Sequence, residues 1–347
     1  IHKMMEQVSI IILNYNGKQY LKDCLTSVLS QTYTDLEIIL FDNGSADGSV
    51  EYVRKEFTDS RLKVVESAEN LGFAGGNNEA LKYCSNDLVV LLNNDTVTDK
   101  DWLKFLVAAV DEKNTVASSF VITTGVPEKY YETNGSVSYL MYNVMNIFPD
   151  KEDEFYPNGC SLIFRKSEIG VPFDPDYFYY GEDTYLGLKA RFMGMKIRFV
   201  KESIVHHLGG GSETASSFRT FCQERNRFLN LYTSFSPGFI FRMVPYITFN
   251  HTLRLITSLF SRRRSFLGTA KAFIWFYFNI SSVLRKRREV SRYIKIDEAE
   301  VIKLMSSKVF NEGAPGAGLI NGLSYLYSRI TGIKPIEYFI KNGIPYK

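Results

Sequence analysis

The sequence predicts an α/β fold: a mostly parallel sheet covered on both faces, followed by a helical C-terminal region. Two observations predict it. Short β-branched apolar runs alternate with amphipathic stretches through the first hundred residues. The runs are apolar throughout rather than every second residue, as in strands buried on both faces.

Val8–Leu13 (VSIIIL) reads as the first strand, and Lys18–Ser30 as a helix with Leu21, Leu25, Val28 and Leu29 on one face. Leu36–Phe41 (LEIILF) is the second strand and Asp47–Phe57 the next helix. Leu62–Glu66 and Asp87–Leu92 (DLVVLL) are further strands, separated by a helix near Gly75–Cys84. Ligands of such sheets gather at the carboxyl ends of the strands, and every polar motif up to Asp95 falls at such an end. From about Val116 the pattern turns irregular and aromatic-rich, and Tyr130–Phe155 reads either as a mobile loop or as a substrate-facing insertion. After Thr214 the reading is helical: Phe218–Tyr232, then Phe239–Phe260 and Phe266–Leu284, the last two each followed by a basic cluster. The expected division is a domain over residues 1–234 and a mainly helical region over 235–347.

Composition narrows the function classes. The 347 residues are 45% hydrophobic and 23% charged, the balance of a globular chain. A net charge of +3 gives no global electrostatic case for nucleic acid. Positive charge concentrates locally, at Arg262-Arg263-Arg264 and Arg285-Lys286-Arg287-Arg288. Cys24, Cys84, Cys160 and Cys222 lie too far apart for metal-ligand pairs or a disulfide framework, which predicts free thiols in a reducing compartment. Val8–Leu13 is too short for a signal peptide and ends at polar Asn14, so a cytoplasmic location is expected.

The candidate chemistry sits in six motifs. Asn93-Asn94-Asp95-Thr96 follows DLVVLL directly, where a carboxylate can hold Mg²⁺ or Mn²⁺ while open positions take diphosphate oxygens. Taken alone, such an Asp also suits a turn or a helix cap. Asp42-Asn43-Gly44-Ser45 makes a good turn, and Asp42 can equally accept from a base imide or a ribose hydroxyl. In Asn14-Tyr15-Asn16-Gly17 the aromatic ring can stack on a base. The stretch Glu69–Asn78 (ENLGFAGGNN) carries glycines that allow backbone N–H groups close to a phosphate or sugar. Gly181-Glu182-Asp183 opens the helix Thr184–Met193, where a carboxylate is either a cap or a general base for an attacking hydroxyl. His206-His207-Leu208-Gly209-Gly210-Gly211 joins imidazoles to flexible glycines, able to close on a diphosphate or a cation. No G-x-G-x-x-G follows the first strand, which argues against a dinucleotide oxidoreductase.

In this order, NYNG, FDNGSADGS, ENLGFAGGNN, LLNNDT, YGED and HHLGGGS resemble the family 2 glycosyltransferases, inverting enzymes of GT-A fold, in a rhamnosyltransferase-like branch. The resemblance covers Val8–Ser234. It implies nucleoside and sugar contacts from Asn14, Tyr15, Asn16, Asp42, Asn70, Gly72, Asn78, Asn93, Asn94 and Arg225. It implies a Mn²⁺ or Mg²⁺ site at Asp95 and His207, and a catalytic base at Asp183 with Glu182 its acidic neighbour. The triplet is Asn-Asn-Asp where Asp-x-Asp is the usual form, so Asp95 carries the cation without a second carboxylate. The expected donor is a dTDP- or UDP-sugar. The expected acceptor is a glycan or a polyprenyl-linked glycan, in cell-surface polysaccharide or glycoprotein glycan assembly.

Gln223-Glu224-Arg225-Asn226-Arg227 lacks the Trp of the Gln-x-x-Arg-Trp motif of processive synthases, so addition of a single sugar is expected. A catalytically silent sugar-nucleotide-binding module is the alternative, and the retained Asp95, Asp183 and His207 speak against it. Lys271 and Asn279 interrupt Phe266–Leu284, short of the roughly 20 apolar residues of a spanning helix. Helices lying on the inner face of the membrane, with basic flanks on anionic lipid, fit this pattern. Packing on the catalytic domain or in a homodimer is the other reading.

Overall fold

The computed structural model describes residues 6–110, 112–125, 135–145, 148, 152, 154–209, 216–261, 264–311 and 316–346. Gly210 and Gly211 of the histidine motif, and Arg262 and Arg263 of the first basic cluster, lie outside them.

In chain order the elements run β1 (Val8–Asn14), α1 (Lys18–Leu29), β2 (Leu36–Asp42), α2 (Ser49–Glu56), β3 (Leu62–Glu66), α3 (Gly72–Ala80), β4 (Leu88–Asn93), β5 (Thr96–Thr98), α4 (Trp102–Ala109) and β6 (Thr115–Thr123). A short hairpin follows, β7 (Gly135–Val137) and β8 (Asn143–Met145), then β9 (Ser161–Arg165), α5 (Lys166–Ile169), α6 (Glu182–Phe192) and β10 (Lys196–His207). The remainder is helical: α7 (Ser217–Ser234), α8 (Pro237–Ser258), α9 (Phe266–Phe278), α10 (Ile280–Val290), α11 (Glu298–Ile302), α12 (Ala317–Ile330) and α13 (Ile336–Lys341).

The chain forms two compact units. The first comprises Ile1–Thr133, Pro157–Phe178 and Met195–Gly211; the second comprises Asn134–Tyr156, Tyr179–Gly194 and Ser212–Lys347. Two internal segments, Asn134–Tyr156 and Tyr179–Gly194, thus group with the C-terminal helices.

The first unit is an eight-stranded sheet in the order β3-β2-β1-β4-β9-β6-β10-β5. β1 pairs in parallel with β2 and β4, and β2 with β3. The predicted strands are all present, and their side chains are buried on both faces from Val8 to Ile12 and from Leu88 to Leu92. The irregular reading beyond Val116 is corrected by three strands. β9 inserts antiparallel between β4 and β6, β10 runs parallel to β6, and β5 is antiparallel to β10. Their polar residues hid them: Trp102 Nε1 donates to Ser119 Oγ (2.9 Å) and Ser161 Oγ (3.0 Å), and Ser203 Oγ donates to the Trp102 carbonyl. Buried serines that satisfy one another across strands leave no apolar periodicity to read.

The second unit gathers the hairpin and the helices around Tyr139, Phe155, Phe192, Phe235, Phe239 and Met243, all buried. Phe266–Leu284 is not one helix. It breaks at Asn279 (φ −116°, ψ 22°) into α9 and α10. Among the described residues no helix is long and apolar enough to cross a membrane. At the centre Glu224 is buried on α7 and accepts from Arg227 Nε (3.1 Å) and Nη2 (2.9 Å), while Arg254 of α8 pairs with its other oxygen. Burial alone would raise the Glu224 carboxyl, but Arg254 and Arg227 hold it down to about 2.

Removing this carboxylate strands two guanidiniums in the core. Glu224→Ala should cost about 3–5 kcal/mol in urea unfolding, whereas an exposed change such as Lys55→Ala should stay within about 0.5 kcal/mol.

Candidate functional site

The parallel register of β1, β2 and β4 sets Asn14 opposite Asp42 and Leu13 opposite Asn93. Three polar strand ends thus lie level, and they satisfy one another. Asn94 Nδ2 donates to Asn14 Oδ1 (2.7 Å), and Asn14 Nδ2 donates to Asp42 Oδ2 (2.9 Å). The other oxygen, Asp42 Oδ1, accepts from the Ser45 backbone N–H (2.8 Å). Asn14 and Asp42 are buried. Gly17 borders this chain so closely that an added Cβ would lie 2.1 Å from Asn94 Nδ2.

Asn16 ties the first loop to the second. Its N–H donates to Ser45 Oγ (2.8 Å) and its Oδ1 accepts from the Ala46 N–H (2.8 Å), with Asn16 itself at φ +50°. Tyr15 beside it is half exposed. Asn43 organises the third loop: Nδ2 donates to Asn70 Oδ1 (3.0 Å) and to the Gly72 carbonyl (3.1 Å), and Oδ1 accepts from the Leu71 N–H. Gly72 sits at φ +73°, and a Cβ there would meet the Phe178 carbonyl at 2.4 Å, so only glycine suits the position.

β4 ends in the turn carrying Asp95, and the pairing of β5 with β10 sets His207 opposite Thr96. The result brings His207 Nε2 to 3.1 Å from Asp95 Oδ2, both side chains partly exposed. The neighbouring His206 takes the other side of the strand and reaches Asp99 Oδ1 at 3.1 Å. The period-two alternation of a strand separates the two imidazoles.

The donor set suits a hard or borderline divalent cation: one carboxylate oxygen and one imidazole nitrogen 3.1 Å apart. Nearby Cys24 is raised to about 12 by burial, so it offers no thiolate. Among the described residues no group of three or more His, Cys, Asp or Glu could hold a metal unaided. A cation at Asp95 and His207 would complete its shell with water and substrate oxygens, the habit of Mg²⁺ and similar ions.

In the second unit, Tyr180 (φ +68°) and Gly181 (φ +82°) turn the chain into α6 in left-handed conformations. Asn226 Nδ2 on α7 donates to the carbonyls of Tyr179 (3.1 Å) and Tyr180 (2.6 Å), and Asn230 Nδ2 to that of Gly181 (3.1 Å). This clamp aims Glu182 and Asp183, the first residues of the helix, into a cavity. Asp183 Oδ1 accepts from the Thr184 N–H (2.6 Å). Glu182 is buried and its Oε2 has no hydrogen-bond partner. Burial and the charge of Asp183 push the Glu182 carboxyl up to about 8; burial also raises Asp183 above the usual carboxylate range.

Known proteins resemble the first unit. Residues 9–170 match the family model described as glycosyl transferase family 2. That match spans just under half of the chain. Glycosyltransferase GlyA of Streptococcus pneumoniae serotype 4 is 26% identical over 210 residues, covering 57% of this chain and 30% of that protein. The chain thus spans under a third of that relative's length. UDP-Glc:alpha-D-GlcNAc-diphosphoundecaprenol beta-1,3-glucosyltransferase WfgD of Escherichia coli is 33% identical over 107 residues, 31% of this chain and 42% of WfgD. Mannosyltransferase PcManGT from Pyrobaculum calidifontis, solved with GDP-Man and Mn²⁺, is 15% identical and superposes with a TM-score of 0.51 over 97% of this chain and 86% of that chain. At that identity the likeness shows the fold, which is GT-A: a mostly parallel sheet with helices and a C-terminal helical region.

Within the first unit, the structure collects Asn14, Asn16, Asp42, Asn70, Gly72 and Asn94 in one bonded system, and Asp95 with His207 in another. Asn78 stands apart: its Nδ2 donates to the Phe173 carbonyl (2.8 Å) and its Oδ1 accepts from the Phe173 N–H (3.2 Å). Both ends of this amide are spent on the main chain, so it anchors that segment to α3. Asn93 offers its backbone carbonyl to Thr96 Oγ1 (2.6 Å). Arg225 lies on α7 between the rings of Phe221 and Trp275. Sequence reasoning missed the organising roles of Asn43, Asn226 and Asn230. The available signal was their neighbourhood, next to Asp42 and spaced four apart on one helix face.

A carboxyl raised from 4.5 to about 8 keeps its proton in the folded chain where the unfolded chain has released it. Stability should therefore fall as pH rises from about 4.5 to about 8. Glu182→Gln should remove this decline, so that its melting temperature gains on the wild type steadily across that window and levels off above it; parallel melting curves at all pH values would refute the buried protonated carboxyl.

Proposed function

We propose that this chain is an inverting glycosyltransferase, using Mn²⁺ or Mg²⁺, that moves one sugar from a nucleotide-diphosphate donor to an acceptor hydroxyl. The observation that carries the reading is the Asp95–His207 pair, a carboxylate and an imidazole 3.1 Å apart beside the strand ends of a family 2 domain. Tyr15, Asn16, Asp42 and Asn70 hold the nucleoside: the half-exposed ring stacks on the base, and the Asp42 carboxylate accepts from base or ribose. Asp95 and His207 take the cation and the diphosphate.

Asp183 is the base. Glu182, with its carboxyl pushed up to about 8, stays protonated near neutral pH, which leaves the negative charge of the pair on Asp183. The Oδ1 atom of Asp183 is held by Thr184, and Oδ2 takes the acceptor proton as the hydroxyl oxygen attacks the anomeric carbon. The bond to the diphosphate oxygen breaks on the opposite face, and the configuration inverts. A divalent cation, when bound, supplies charge stabilisation for the departing diphosphate.

The names of the relatives support the substrate classes. WfgD is named for a UDP-sugar donor and a diphosphoundecaprenol-linked acceptor, and PcManGT was solved with a sugar nucleotide and Mn²⁺. A rhamnosyl donor is one candidate among these. A membrane-surface location fits the second unit, where α8 exposes Phe241, Phe249 and Ile256, with Leu259 just beyond it, and α9 exposes Ile274, Tyr277 and Phe278. α12 adds Leu319, Leu323, Leu326 and Ile330 at helical spacing. Exposed apolar area of this extent marks an interaction surface, and the basic run 285–288 suits anionic lipid.

Nucleotide release from a panel of UDP-, dTDP- and GDP-sugars tests the assignment. Asp95→Asn and His207→Ala should each slow release by about a hundredfold and weaken nucleotide binding in the presence of Mn²⁺. Asp183→Asn should slow transfer at least as much while leaving nucleotide affinity unchanged; near-normal transfer by that variant would remove the base assignment. On the membrane side, sedimentation with vesicles containing anionic lipid should be strong at low salt and weaken when Phe241, Tyr277 and Phe278 are changed to Ser. Equal recovery with neutral and anionic vesicles would sink the basic-flank argument.

A further inference from the structure

The cavity that receives Glu182 and Asp183 has a volume of about 570 Å³ and is walled entirely by the second unit. Its wall is unusual in charge. Three arginines line it: Arg227, Arg254 and Arg264. Arg227 and Arg254 share Glu224, and both guanidiniums stack on Tyr142, at 4.7 and 4.8 Å from the ring centroid. That arrangement holds the two planes rigid and nearly buried.

Arg264 has no such partner. Among the described residues it makes no hydrogen bond and no ion pair, although it is only partly exposed and close enough to Arg254 to feel its charge. Three guanidiniums against one Glu224 carboxylate leave two positive charges in excess. The Glu182–Asp183 pair carries one negative charge, so the lining stays positive while the base is active. A half-buried arginine facing a like charge is costly unless an anion completes it, and a guanidinium fork matches a phosphate in geometry as well as charge.

We infer that the acceptor carries a phosphate or diphosphate group close to its attacking hydroxyl, and that Arg264, backed by Arg254 and Arg227, is the group that binds it. The inference rests on the reading of Asp183 as base for the acceptor. It narrows the acceptor from any glycan to an anionic one: a glycan on a lipid diphosphate, or a glycan bearing a phosphate of its own. Arg264 then acts as a specificity residue, since a neutral sugar entering the cavity leaves the guanidinium without its anion.

Titration calorimetry with inorganic pyrophosphate, in EDTA so that no cation recruits it to Asp95, tests the site on the intact chain. Arg264→Gln should weaken binding about tenfold or more, Arg264→Lys should restore part of it, and Asp95→Asn should leave it unchanged. The Gln variant removes a repelled charge, so its melting temperature should not fall, which separates lost binding from lost folding. Farnesyl diphosphate binding more tightly than pyrophosphate identifies the lipid-linked source; equal affinity identifies a phosphate on the glycan. Equal pyrophosphate affinity in wild type and Arg264→Gln, or no binding by the wild type, overturns the proposal. Failure of the base reading is visible separately, as nucleotide release undiminished in Asp183→Asn while pyrophosphate binding to Arg264 persists.

Discussion

Everything on the first unit depends on one constraint: β1, β2 and β4 end level, and their last residues are polar. Apolar strands buried on both faces are strong drivers of collapse, yet each must stop somewhere, and its final side chain then meets its neighbours' final side chains. Here the solution is a chain of short amides closed by one carboxylate, Asn94 to Asn14 to Asp42. Amides both donate and accept, so a row of them can satisfy itself without water and without net charge. The single buried carboxylate gives the row a direction, and the loops that follow inherit fixed starting points from it.

The cation pair follows from the same frame by a longer route. Asp95 is placed by β4, whereas His207 lies more than a hundred residues later and arrives through β10 pairing with β5. The two side chains meet only because an antiparallel edge sets their register. One residue of slip would swap His206 for His207, and His206 would then face the turn.

The second unit treats charge differently. Its carboxylates at the start of α6 are confined in a low-dielectric setting that raises both, while Glu224 is held ionised by two arginines. Carboxyls of one unit thus shift in opposite directions, each for a cause set by its neighbours. The clamp from Asn226 and Asn230 is what keeps this arrangement in place, since the left-handed Tyr180 and Gly181 would relax without it.

The sequence by itself determined the four leading strands, the helices between them and the polar motifs at their carboxyl ends. These are local or periodic properties: apolar runs, turn chemistry and motif order are written within a few residues of each other. The tertiary structure alone decided β6, β9 and β10, the break at Asn279, the clamp on the Glu182 loop and the arginine-lined cavity. The three strands carry buried serines that bond to one another and to Trp102 of α4, so no periodic signal marks them. The use of Asn78 as an anchor, and of Arg264 as a cation unpaired among the described residues, depends on partners far away in the chain or on their absence, and neither is legible from spacing.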